Sequence, residues 1–198
     1  MTDGATVLSF ATGKPVSQEE AAIDRFLAGL GDASWFSALG MPPTDDEAGE
    51  AALYLTGLGL EALEAVWIEE LDQARRLTQD DGWSRAWWQA EERAVEALTG
   101  ALDRTLGKAT STAMLNRAMS DASKVVIGPA AVATARLGVA DQGLNRAMAG
   151  AATQAAYGMA LIAGTGSDPR THPLAAKYRL FAAGHWPLVV LEGRFFLL

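Results

Sequence analysis

The sequence predicts a mainly α-helical, single-domain bundle of several helices around an Ala/Gly-rich central helix, with a small β-hairpin at the C-terminal end. Three observations carry this. First, the word Leu115-Asn116-Arg117-Ala118-Met119 returns as Leu144-Asn145-Arg146-Ala147-Met148, and each copy opens a run of Ala, Gly and Val with few charges. Second, helix-starting signals followed by apolar residues at helical spacing recur between Ser17 and Leu106. Third, the tail changes character, with apolar runs at Leu188–Leu191 and Phe195–Leu198 on either side of Glu192-Gly193.

In chain order, Val7–Phe10 reads as a short strand. Thr12-Gly13-Lys14-Pro15 is a turn and not a phosphate-binding loop. Leu8 stands where the Walker pattern needs Gly, and Pro15 where it needs Ser or Thr. Ser17 and Glu20 have capping-box spacing, and Ile23, Phe26, Leu27 and Leu30 give the helix that follows its apolar stripe before Gly31. Thr44 and Glu47 repeat the box for a helix to about Thr56. The spacing of Leu60, Leu63, Trp67, Leu71 and Ala74 predicts a helix over 60–78. Ser84 caps a helix to about Leu106, with Trp88, Val95, Leu98 and Leu102 inward.

In the first copy of the word, Arg117, Asp121 and Lys124 oppose an apolar side, which leaves one wet face. Gly128-Pro129 should break or kink this helix, because Pro has no amide proton. The second copy has no charge between Arg146 and Asp168, so 140–163 is expected to be the interior helix. Its Ala, Gly, Thr and Gln content suits a packed core rather than a membrane span, which needs about 20 predominantly apolar residues. Thr171 is expected to cap a helix from Pro173 to about Ala183. The tail, 188–198, reads as a hairpin packed on the bundle, with Val7–Phe10 expected to join it because two strands alone are marginal.

The composition bounds function. There are 198 residues and no cysteine, which excludes disulfides and thiolate chemistry and suits a reducing compartment. Met-Thr-Asp-Gly lacks the basic, then apolar, start of a signal peptide, so a cytoplasmic location is expected. A net charge of −8 disfavours nucleic-acid partners. Residues 44–104 hold fifteen acidic against five basic side chains, a net of −10, whereas 105–198 hold nine basic against four acidic, a net of +5. Two such halves can attract each other within one molecule or between copies.

The sharpest chemical pattern is Glu47-Ala-Gly-Glu50 followed by Glu69-Glu-Leu-Asp72. This pair resembles the magnesium-binding motif of the all-α nucleoside triphosphate pyrophosphohydrolases of the MazG type. The resemblance covers about 47–72 and implies that Glu47, Glu50, Glu69 and Asp72 hold Mg²⁺ against a triphosphate. Two features run against it. Glu47 already serves the capping box, and on a helix over 60–78 Glu69 lies roughly 160° from the Leu63/Trp67/Leu71 face.

His172 and His185 have no ligand-like partner at i+3 or i+4 and are expected to be structural or superficial. Glu91 shares a face with Trp88, Val95 and Leu98. Beside indoles a carboxyl can serve as a general acid, but a solvated or Arg-paired Glu91 is the expectation. Trp87 and Trp88 cannot both point inward, so one should be exposed. The favoured function is therefore a non-catalytic protein without cofactor, which binds another protein or itself. Trp87, Trp88, Phe195 and Phe196 are its candidate contacts, and a homodimer is the expected assembly. The alternative is the Mg²⁺-dependent pyrophosphohydrolase. A helical pocket for an apolar ligand is the third reading.

Overall fold

Local capping chemistry sets most of the helix starts. The structure, a computed structural model, describes residues 16–139 and 141–198. Among them are seven α-helices and one three-stranded sheet. The expected strand Val7–Phe10 lies outside the described residues. Helix α1 (Gln18–Ala28) and helix α2 (Asp45–Gly57) both begin with complete capping boxes, Ser17 with Glu20 and Thr44 with Glu47. In each, hydroxyl and carboxylate exchange hydrogen bonds with otherwise orphaned backbone amides.

The stretch expected as one helix over 60–78 divides in two. Strand β1 spans Glu64–Trp67 and helix α3 only Leu71–Thr78. Leu60, Leu63 and Trp67 have helical spacing, but Ala65-Val66-Trp67-Ile68 equally suits a strand. The deciding factor is remote: Ala65 pairs with Phe195 and Val66 with Phe196 in parallel register, 130 residues on. An unpaired edge beside the hairpin outweighs local periodicity, because buried backbone groups require partners.

Helix α4 (Arg85–Leu106) starts at Ser84, whose hydroxyl accepts from the Trp87 amide. Helix α5 (Lys108–Arg136) continues through Gly128-Pro129, so of the expected break or kink the break does not occur. Val126 and Ala130, on either side of the proline, are fully buried, so packing keeps the turn helical despite the missing amide proton. Helix α6 (Gln142–Thr165) is the interior helix the sequence indicates, touching α1, α4, α5 and the next helix, α7 (Pro173–Ala183). From Ala155 on it is buried nearly all round, while Ala147, Gly150 and Gln154 before that point are exposed. The two copies of the repeated word are therefore not equivalent. Ala118 is buried in one, and its counterpart Ala147 faces out in the other.

The cap of α7 is His172 rather than Thr171. Its Nδ1 accepts from the Leu174 amide at 3.2 Å, and burial lowers its pKa. The hairpin forms as expected from strands β2 (Pro187–Leu191) and β3 (Arg194–Leu197). Glu192 (φ 49°) and Gly193 (φ 76°) are both left-handed, the signature of a type I′ turn. Strand order is β1-β3-β2, with β3 in the middle. The outer side of β2 meets the entry to α4, where the Ser84 amide donates to the Val190 carbonyl at 2.7 Å. That bond fixes the first turns of α4 against the sheet.

Among the described residues no helix is long and apolar enough to cross a membrane.

Candidate functional site

The first turns of α4, the middle of α6, the start of α7 and strand β2 enclose a cleft of about 390 Å³. Its walls are apolar. Trp87, Trp88 and Val95 come from α4, Ala151, Ala155 and Gly158 from α6, and Leu174, Pro187 and Leu188 close the far side. The small residues of α6 make the space, since each sits where a larger side chain would fill it.

Four polar side chains interrupt these apolar walls, Glu91, Glu92, Gln154 and Lys177, and Glu91 is the most engaged of them. Glu91 Oε1 accepts from Tyr54 Oη at 2.6 Å and from Lys177 Nζ at 2.6 Å. Tyr54 Oη in turn accepts from Trp87 Nε1. Lys177 also lies 5.8 Å from the Tyr54 ring centre and 5.6 Å from that of Trp87, within cation–π range. Both ionic side chains are only 15% exposed. Burial, and then the neighbouring Glu91 carboxylate, raise the Tyr54 pKa well above its ordinary value, so the phenol remains a donor. Glu91 is thus neither solvated nor Arg-paired. It is paired with a lysine, and both hydrogen bonds use Oε1 as acceptor.

Two members of this group are legible in the sequence, Glu91 as a polar residue on an apolar face and Trp87 as a candidate contact. Tyr54 and Lys177 are not, because nothing local in α2 or α7 indicates which distant carboxylate they meet.

The four carboxylates of the acidic motif are placed apart. Glu47 remains in its capping box, accepting from the Thr44 amide (2.7 Å) and hydroxyl (2.8 Å). Glu50 forms a two-point pair with Arg179, both contacts at 2.6 Å. Glu69 is exposed in the segment between β1 and α3, and Asp72 pairs with Arg75 at 3.3 Å. Among the described residues no group of three or more His, Asp or Glu side chains is placed to hold a metal.

Of the expected contact residues, only Trp88 is open to a partner, at 54% exposure. Trp87, expected to share that role, turns inward to Tyr54, and Trp88, expected inward, turns out. The hydrogen bond from the Trp87 indole to Tyr54 sets this choice, since a buried indole N–H needs an acceptor. Phe195 and Phe196 lie in the hydrophobic core, at 0% and 8% exposure. Trp83, 39% exposed, meets Trp88 edge to face with centroids 6.0 Å apart.

His185 is 1% exposed, with its Nε2 3.3 Å from Glu47 Oε2 but not aligned for a hydrogen bond, and its ring edge-on to Trp67. Burial works to raise the Glu47 pKa, but the two Thr44 hydrogen bonds and His185 outweigh it and lower the value. A lowered carboxyl pKa adds stability above the unfolded-state value, and that stability is lost as pH falls through the folded-state value. Thr44→Ala should therefore cost about 0.5–2 kcal/mol near neutrality. The difference from wild type in urea unfolding should shrink between about pH 7 and about pH 3 as Glu47 protonates. A gap independent of pH would mean that Glu47 takes no part in the cap.

No family model matches the chain, and no curated protein or solved structure matches it either.

Proposed function

We propose that this chain is a non-catalytic binding protein, which engages another protein or a second copy of itself through the α4–α6–α7 cleft. The observation that carries this is the cleft itself. It has apolar walls, an ion pair already neutralised by its own partners, and an exposed indole, Trp88, at the rim. Apolar concavities with a few placed polar groups are the usual form of a binding site, and tryptophan is enriched among residues that anchor interfaces. A homodimer is the alternative occupant of this surface, with the exposed Trp83 and Trp88 as its contacts in place of the buried Trp87, Phe195 and Phe196. A cytoplasmic setting is part of the proposal, supported by the absence of cysteine.

The pyrophosphohydrolase reading has less support, since Glu50 is engaged by Arg179 and Glu69 lies in an exposed segment. The test uses Nile red, a neutral apolar dye whose emission reports a dry site. The native chain should bind it, Trp88→Ala should weaken binding, and Ala151→Trp, which fills the cleft, should abolish it. Unchanged dye binding in Ala151→Trp, or none in wild type, would overturn the cleft as the working surface. Mg²⁺-dependent pyrophosphate release from any nucleoside triphosphate, lost in Glu50→Gln, would overturn the non-catalytic reading.

A further inference from the structure

We infer that the cleft's occupant is a basic amphipathic helix of a partner protein, its apolar face in the cleft and its Lys or Arg side chains against Glu91 and Glu92. This rests on the proposal that the cleft is a binding surface, and it adds the partner's chemistry.

The charges are unevenly committed. Lys177, the one cation lining the cleft, is closed off by Glu91 on one side and by the Tyr54 and Trp87 rings on the others. Glu91 uses only Oε1 in its two hydrogen bonds, and Oε2 accepts from no protein donor among the described residues. Glu92, also lining the cleft, is exposed and makes no ion pair among the described residues. The cleft therefore presents a net negative charge with a spare acceptor and a free carboxylate. The α4 wall that carries both carboxylates belongs to the acidic stretch 44–104, whose net charge is −10, while the α6, α7 and β2 walls belong to 105–198. An anionic guest would meet this field and find the lysine occupied. A cationic guest would meet acceptors, with the exposed Trp88 face beside them for a cation–π contact.

The shape indicates a helix. The cleft is bordered by the exposed part of α6, where Ala147, Gly150 and Gln154 face out without a bulky apolar group and Arg146 stands one turn before Gly150. A side chain added at Gly150 would meet nothing within 4 Å. A second helix can lie along this shelf with apolar residues at i, i+3 and i+4 reaching the cleft, the usual helix-in-groove arrangement.

The test measures anisotropy of labelled synthetic peptides against the full chain. One carries leucines on one helical face and lysines on the other. The second replaces lysine by glutamate, and the third scrambles the leucine–lysine order. The Leu/Lys peptide should bind wild type at least about ten-fold more tightly than the other two. Ala151→Trp and Trp88→Ala should each weaken it about ten-fold, the effect of losing an anchor. Glu92→Gln should weaken it about three-fold, as for an exposed charge pair. Glu61→Gln, the same charge change outside the cleft, should leave it unchanged.

Equal binding of the scrambled peptide, or equal loss in Glu61→Gln, would show diffuse charge attraction and overturn the inference. So would no binding of the Leu/Lys peptide. Cleft-dependent binding of the Leu/Glu peptide would overturn the cationic partner while leaving the cleft as a binding surface. A wild-type dimer that Ala151→Trp dissociates in sedimentation would assign the cleft to a second copy and equally overturn it.

Discussion

Gly184→Ala should destabilise the protein by roughly 2–5 kcal/mol, combining backbone strain with overpacking. Gly184 ends α7 in a left-handed conformation, φ 108°. A Cβ there would lie 2.6 Å from the Ala38 amide nitrogen and 2.6 Å from Ser37 Oγ. Those atoms cannot easily retreat. The Ala38 amide donates to the Gly184 carbonyl, Ser34 donates to Ala182, and Arg136 holds the Ser37 carbonyl at 2.9 Å. The segment is thus pinned from α7 on one side and α5 on the other. Gly166→Ala is the matched comparison, because Gly166 is also left-handed (φ 67°) but a Cβ would meet nothing within 4 Å. It should cost about 1–2 kcal/mol, the conformational part alone. Urea unfolding of both variants reads the difference. Equal midpoints would mean that the 34–38 segment is not packed on α7 as described.

Lys177→Met should cost roughly 2–4 kcal/mol, below the figure for a fully enclosed pair because water reaches the cleft. The loss comes less from the attraction removed than from the Glu91 carboxylate left in an apolar wall with only Tyr54 as donor. Coupling is the sharper measure. In a cycle of Lys177→Met with Glu91→Leu, the double variant should be more stable than the summed single losses by about 1–3 kcal/mol, as for residues in one network. Adding Tyr54→Phe to the double variant should recover no stability, since removing the phenol also leaves the buried Trp87 indole N–H without its acceptor. A coupling below about 0.5 kcal/mol would mean the pair behaves as a solvated surface contact.

Both predictions depend on contacts far apart in sequence, and so do the places where sequence reading failed. The capping boxes at Ser17 and Thr44, the Ser84 cap, the interior helix and the terminal hairpin were all legible, because their signals lie within a few residues of the element they start. Pro129 misled because its local cost is real but smaller than what burial of Val126 and Ala130 recovers. The 64–67 strand was hidden because its partner, β3, comes after the entire bundle. Trp87 and Trp88 are adjacent residues with the same composition and propensity. Trp87 falls on the face of α4 that buries Ala90, Leu98 and Leu102, and there the Tyr54 hydroxyl gives its indole an acceptor.

The sequence by itself determined where α1, α2 and α4 begin, which helix is interior and that the tail turns back on itself. These follow from cap chemistry and from the burial demand of an uncharged Ala/Gly run, both local properties. Only the tertiary structure decided the third strand, the inward tryptophan, the Glu91–Lys177 pair and the cleft. Each of these depends on groups from separate elements meeting within about 3–4 Å, the range over which hydrogen bonds and ion pairs act. Periodicity along one helix carries no information about which distant group will arrive there.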